Sequence, residues 1–205
     1  GGGVFIGGCP RCSEGCGECP GLVHGAADDF TRFNIEYRKQ VLAKVHPIIY
    51  GNTHMQMIYR QAALLKDYDR LETVYPLVDN NHFHPVDKQQ ARQQLELPTN
   101  KFILFFGSTV LTEERKGMKY LLQALDIFYD QLTDEQRSEV LLVIAGHHVD
   151  ALREHIRFDM KDVGFVPFDQ LPLYYAMANA YLSPSIDDAG PSMVNQSLSC
   201  GTPVV

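Results

Sequence analysis

Apolar positions along the chain follow two rhythms. Phe30, Phe33, Ile35, Tyr37, Val41, Leu42 and Val45 alternate with Arg32, Arg38, Lys39 and Lys44, a spacing that predicts one amphipathic helix over 29–44, capped by Asp28 or Asp29. Residues 46–50 read as a short strand, Thr53 as the cap of a helix running to 65, and residues 71–75 as another strand. The second half carries longer apolar runs. A short helix over 88–95 precedes a strand over 102–106 that ends at Gly107-Ser108. A polar loop over 109–114 then leads through Arg115-Lys116-Gly117 into a long helix with Leu121, Leu122, Leu125, Phe128 and Leu132 on one stripe. A strand over 140–145 ending at Gly146, a helix over 171–177 and a strand over 180–182 complete the pattern. Strands alternating with helices predict a parallel α/β sheet.

The last stretch is the most informative. The strand over 180–182 runs into a polar turn, residues 183–190, and Pro191 opens a helix, since a proline at the first helical position loses no hydrogen bond. Cys200-Gly201 ends it, with Gly201 placed for a left-handed cap and Pro203 close behind; Val204 and Val205 begin another strand. The unpaired N–H groups near Ser192 and Met193, after Gly190 and Pro191, form a seat for a phosphate or a sugar hydroxyl. Asp188 precedes them, and Gln196 sits at i+4 from Ser192 on the same face. From spacing alone, these polar residues either grip a polyhydroxylated ligand or only cap a helix. Gly107 lets backbone approach a ligand at the carboxyl edge of the sheet, where open α/β sheets bind, and Arg115 and Lys116 bring positive charge to that edge.

The segment from Asp188 through Gln196 to Gly-Thr-Pro-Val-Val at the end resembles the donor-binding signature of retaining glycosyltransferases of family 4, in its bacterial polysaccharide-biosynthesis branch. Asp188 and Gln196 stand at the two acidic positions of that signature, and Gln196 replaces a carboxylate that binds the donor ribose in the family. Gly107-Ser108 with Arg115-Lys116-Gly117 resembles the element whose cations hold the donor diphosphate. Val163 and Phe165, within residues 162–166, resemble the element whose backbone and ring contact the nucleobase. Residues 76–85, with Pro76, Asp79, Phe83 and Pro85, resemble the interdomain linker. Gly7-Gly8-Cys9 and Cys16-Gly17-Glu18-Cys19-Pro20 resemble a cysteine loop of the acceptor-side domain.

The resemblance implies a GT-B type α/β fold of two Rossmann-like lobes, truncated at both ends: residues 1–76 from the acceptor side, a linker over 77–85, and an incomplete nucleotide-sugar lobe over 86–205. It implies transfer of a sugar, with retention, from a UDP- or GDP-sugar to a glycan or lipid-linked acceptor in cell-surface polysaccharide synthesis. Arg115 and Lys116 would neutralise the leaving diphosphate, Asp188 would orient the sugar, and Gln196 would bind the ribose. Fixed cations in that role make a metal unnecessary for transfer. With Gln196 in place of a carboxylate, a nucleotide-sugar-binding module without turnover stands as the alternative.

Composition narrows the remainder. The 205 residues allow one large domain or two small ones. A net charge of −7 argues against a nucleic-acid partner, and no apolar run approaches the ~20 residues of a membrane span. The expected location is the cytoplasm, with a peripheral contact at the inner membrane face left open. The chain opens on Gly1-Gly2-Gly3 and stops at Val205 inside an apparent core strand, so the expectation is a fragment of a longer protein. Four of five cysteines, Cys9, Cys12, Cys16 and Cys19, form two close pairs around a glycine- and charge-rich spacer read as a flexible loop. Four thiolates at such spacing suit a structural zinc ion or an iron–sulfur cluster; reduced surface thiols are the alternative. A metal-binding interaction protein is therefore a third reading. His82 and His84 in the linker read as solvated, with metal ligation at i,i+2 spacing as the alternative, and His147 and His148 as exposed polar residues.

Overall fold

The computed structural model describes residues 9–22, 29–45, 48–68, 72–111, 114–186, 188 and 190–205. The chain forms two compact units, residues 1–76 and 77–205.

The first unit holds α1 (Arg11–Glu14), α2 (Thr31–Leu42), β1 (Ile48–Tyr50), α3 (Thr53–Gln61) and β2 (Glu72–Val74). β1 and β2 pair in parallel, with Ile48 opposite Glu72 and Tyr50 opposite Val74, so α3 is the crossover a parallel pair requires. Ile35, Ile49, Leu64 and Leu65 form its buried core. Asn52 rather than Thr53 caps α3, its side chain accepting from the Met55 N–H at 2.9 Å. The helix stops at Gln61, short of the expected 65, because Ala62 is extended (ψ 132°) and redirects Leu64 and Leu65 inward. Asp28, one candidate cap of α2, lies outside the described residues, as do 46, 47 and 71 of the expected strands and Gly7 and Gly8 of the cysteine-loop resemblance. The spacer read as a flexible loop contains α1, closed by Gly15 in the left-handed region at φ 101°.

The second unit contains α4 (Lys88–Gln94), β3 (Phe102–Val110), α5 (Met118–Gln131), α6 (Asp134–Glu139), β4 (Val140–His147), α7 (Asp150–Arg153), β5 (Asp159–Asp162), α8 (Leu171–Met177), β6 (Ala180–Tyr181) and α9 (Ser192–Ser199). Among the described residues its four strands are all parallel in the order β5-β4-β3-β6, and Val204 adds a parallel bridge to Tyr181. Side chains alternate across the sheet. Ile103, Phe105, Leu141 and Val143 face a core with Tyr175 and Met177, while Leu104, Phe106, Leu142 and Ile144 face another with Leu121 and Leu125. Burial on both faces is why β3 and β4 read as unbroken apolar runs. Both strands run past their expected ends, to Val110 and His147, because Gly107–Ala145 and Ser108–Gly146 continue the ladder. Helix α6, opened by a Thr133–Gln136 capping box, α7 and β5 were not expected from the pattern.

Candidate functional site

The site grows from three strand ends. β3 carries Gly107, Ser108 and Thr109 near its end, β4 carries Ala145 and Gly146, and β6 leads into Ser183 and Pro184. A side chain could not replace Gly107 freely. A Cβ there would stand 3.0 Å from Met193 Cε and 3.6 Å from Ala145 Cβ, so this glycine admits Met193 over the strand end. Tyr181 holds the same spot from below, its hydroxyl 3.4 Å from the Gly107 carbonyl oxygen and 3.5 Å from Met193 Sδ. Burial, with Asp188 nearby, raises the Tyr181 phenol well above its usual range, so it stays a neutral donor.

The cationic loop is set by Gly117, at φ 70° in the left-handed region, where a Cβ would fall 1.9 Å from the Pro184 carbonyl oxygen. The loop after β6 therefore lies directly on the loop after β3. The Ile186 N–H donates to the Arg115 carbonyl at 3.0 Å, and the Lys116 ammonium reaches Asp188 Oδ2 at 2.8 Å, with Arg115 at 4.0 Å from the same oxygen. The other carboxylate oxygen accepts from the Gly190 N–H at 3.2 Å. α9 begins at Ser192. Pro191, which the sequence suggested as the first helical residue, is instead the N-cap residue in extended conformation (ψ 101°), so the helix starts one position later than expected. Gly201 closes the helix in the left-handed region (φ 78°), its N–H on the Leu198 carbonyl.

Two chambers result. One, of about 350 Å³, is lined by Arg115, Lys116, Asp188, Gly190, Pro191, Ser192 and Met193 with Ser183, Pro184 and Ser185. The other, of about 320 Å³, is lined by Gly146, Phe165, Val166, Phe168, Leu171 and Gln196. Gly107, Ser108, Thr109, Ser192 and Met193 line both, so they form one groove over the carboxyl edge of the sheet. Its first half is polar and cationic; its second is mostly apolar. Gln196 faces the second, its carbonyl oxygen accepting from Tyr175 Oη at 3.0 Å, which leaves the amide NH₂ as the end that can donate to a ligand.

Of the donor-site residues selected from sequence, only Val163 misses the groove. Its backbone is used in the sheet, the N–H donating to the Ile144 carbonyl at 3.0 Å, and its side chain packs on the core. Sequence reading missed Phe168 and Leu171, because nothing local marks residues that reach the groove only when the chain returns after β5.

The described positions of the cysteines give no metal cluster. Among the described residues no three His, Cys, Asp or Glu converge on one point, and all five cysteines are free thiols. The loop's polar groups bind one another instead. Arg11 donates to the Gly17 and Glu18 carbonyls at 3.1 Å and to Glu18 Oε2 at 2.7 Å, and the Cys19 N–H is held by Asp29. Cys12 is turned into the interior, where burial raises its pKa. The structure therefore gives no support to the zinc-ligand expectation for Cys9, Cys12, Cys16 and Cys19.

A parallel sheet covered on both faces, with a ligand-sized groove between its carboxyl edge and a helix start, is the open α/β arrangement found in the lobes of GT-B folds. Residues 87–205 match the family described as glycosyl transferases group 1, and the chain belongs to that family. It is 31% identical over 150 residues to D-inositol 3-phosphate glycosyltransferase 2 of Catenulispora acidiphila, a match covering 68% of this chain and 35% of that protein. With O-antigen chain mannosyltransferase B of Escherichia coli it shares 28% identity, over 59% of this chain and 32% of that one. The chain thus spans about a third of the length of the curated relatives it matches. Among solved structures it resembles sucrose-phosphate synthase from Thermosynechococcus elongatus (TM-score 0.65, 20% identity, 89% of this chain and 45% of that one). It also resembles Anabaena HepE in complex with UDP and glucose (TM-score 0.62, 18% identity, 84% and 47%).

Proposed function

We propose that this chain supplies the donor-binding part of a glycosyltransferase that moves a sugar, with retention, from a UDP- or GDP-sugar to a glycan or lipid-linked acceptor in cell-surface polysaccharide synthesis. The observation that carries this reading is the convergence of Arg115 and Lys116 with the N-terminus of α9 on one cavity. Cleaving the anomeric bond of such a donor leaves negative charge on a diphosphate. Two fixed cations and the amides at Ser192 and Met193 stabilise that charge where it develops, without an added metal. Asp188, on the same cavity, orients the sugar; Gln196 donates to the ribose; Phe165 and Phe168 serve the base. The UDP-glucose complex of HepE supports a nucleoside diphosphate sugar as donor, and the mannosyltransferase relative supports sugar transfer. In this reading residues 1–76 belong to the acceptor side and 77–85 to the linker.

The test uses the full-length protein with UDP-glucose and GDP-mannose as donors. Release of one nucleoside diphosphate is expected, together with a fall of roughly 10²-fold or more in rate for Lys116→Ala, the usual scale for removing one electrostatic stabiliser. Unchanged nucleotide affinity and unchanged rate in Lys116→Ala would remove this lysine from the site. Specific nucleotide binding with no turnover on any donor would favour the non-catalytic module.

A further inference from the structure

Two exposed phenylalanines on the apolar chamber, Phe165 and Phe168, are each backed by a histidine ring lying nearly parallel to them. His147 and Phe165 have centroids 5.5 Å apart and planes 6° apart; His82 and Phe168 are at 4.9 Å and 10°. We propose that His147 and His82 are positioning residues that hold these two rings as preset stacking platforms for a nucleobase, an inference that rests on the donor-binding reading above.

The chain builds each pair by a different route. The Gly146 N–H donates to the Gly164 carbonyl at 2.8 Å, and the Gly164 N–H is held by Asp162 Oδ1 at 2.8 Å. Tying these two glycines together brings the residues that follow them, His147 and Phe165, side by side. The second pair is made from residues 86 positions apart in the sequence. A turn at Asp79, closed by the Phe83 N–H on its carbonyl at 2.8 Å, presents His82, whose Nε2 lies 3.1 Å from the Phe168 carbonyl oxygen. Buried Phe83 meets both His82 and Phe168 edge-on, at 4.8 and 5.2 Å.

Phe165 and Phe168 are 57% and 60% exposed, so water alone would leave each ring several rotamers. A stacked neighbour favours one of them, and a platform already in place loses less freedom when a base arrives. The ligand this suits is flat and aromatic at one end and anionic at the other, because the same groove carries Arg115 and Lys116 in its other chamber. A nucleoside diphosphate has that shape and charge.

Binding of UDP, GDP and inorganic pyrophosphate to the full-length protein tests the proposal. Wild type binding neither nucleotide more tightly than pyrophosphate would remove the donor-binding reading itself. With that reading intact, His147→Ala and His82→Ala are each expected to weaken the preferred nucleotide by about 2- to 10-fold, the range for one aromatic pair, with pyrophosphate affinity unchanged. His147→Phe, which keeps a stacking ring, is expected to restore affinity. In a Phe165→Ala background, His147→Ala is expected to add nothing, because it acts through that ring. Nucleotide affinity unaffected by either histidine, nucleotide and pyrophosphate affinities falling together, or additive effects at 147 and 165 would overturn it.

Discussion

Lys116 and Asp188 meet at 2.8 Å, with side chains 23% and 17% exposed, so the cation and the acid of the site are partners when no donor is bound. A diphosphate must compete with this carboxylate for the ammonium. Asp188→Asn removes the competitor and one negative charge from the cavity. The nucleoside diphosphate is therefore expected to bind at least as tightly as to wild type, while sugar transfer falls by roughly 10²-fold, as a group needed in the transition state is lost. Calorimetry alongside steady-state rates separates the two effects; weaker nucleotide binding would show that Asp188 supports the phosphates directly. At the neighbouring Gly117, a φ of 70° and the Pro184 carbonyl oxygen, 1.9 Å from where a Cβ would stand, leave no room for alanine. Gly117→Ala is expected to lower stability by more than about 1 kcal/mol, read from the urea midpoint, since strain and overlap act together.

Elements are joined by one buried cation. Arg92 on α4 is 3% exposed and donates to the Met177 carbonyl at 2.9 Å, to the carbonyls of Thr99 and Lys101 at 2.9 and 3.0 Å, and to Asn179 Oδ1 at 2.7 Å. The Asn179 oxygen also accepts from the Ile103 N–H at 2.8 Å, so α4, the end of α8 and the start of β3 share one hydrogen-bonded joint. Arg92→Leu keeps apolar bulk but strips donors from several acceptors, and is expected to cost roughly 3 kcal/mol in chemical denaturation. Its effect on nucleotide affinity at a temperature where the variant stays folded is expected to be small, because the joint lies at the amino-terminal edge of β3, away from the groove. Element identity was largely legible from periodicity: α8 spans the expected 171–177, and the stripe of Leu121 and Leu125 packs against the sheet. α6 escaped because Asp134 to Glu139 is polar throughout and only its Thr133–Gln136 capping box and first-turn acids mark it, and β5 escaped because a four-residue edge strand with Asp at both ends has little apolar pattern.

On the scale of the whole molecule, burial shapes the response to pH. Cys200 is 4% exposed, and its thiol is pushed up from 9.0 to about 11 by burial. The unfolded chain loses this proton first, so between pH 9 and 11 the folded state binds more protons and stability falls as pH rises. Buried Tyr175 and Tyr181, also raised, extend the loss further into alkali. Urea midpoints measured across that range are expected to fall more gently in Cys200→Ala than in wild type; identical slopes would show that this thiol does not contribute. No helix among the described residues is long and apolar enough to cross a membrane.

Local chemistry made most of the candidate site readable. Arg115-Lys116 stands beside a loop glycine and Ser192-Met193 opens a helix, and both signals lie within a few consecutive residues. The cysteine spacing is a weaker guide, since spacing reports which thiolates could meet and cannot report that Arg11 and Asp29 take up the loop's backbone groups.

The sequence by itself determined the parallel α/β alternation and the residues that carry charge to the sheet edge, because burial on both faces and capping at helix ends leave local traces in the order of residues. Only the tertiary structure decided that Lys116 meets Asp188, 72 residues away, that Met193 crosses Gly107, and that Phe168 returns to line the same groove while Val163 does not. Those outcomes depend on how the loops after separate strands pack over a common edge, and the physical cause, close approach at Gly107 and Gly117, acts between segments that share no local pattern.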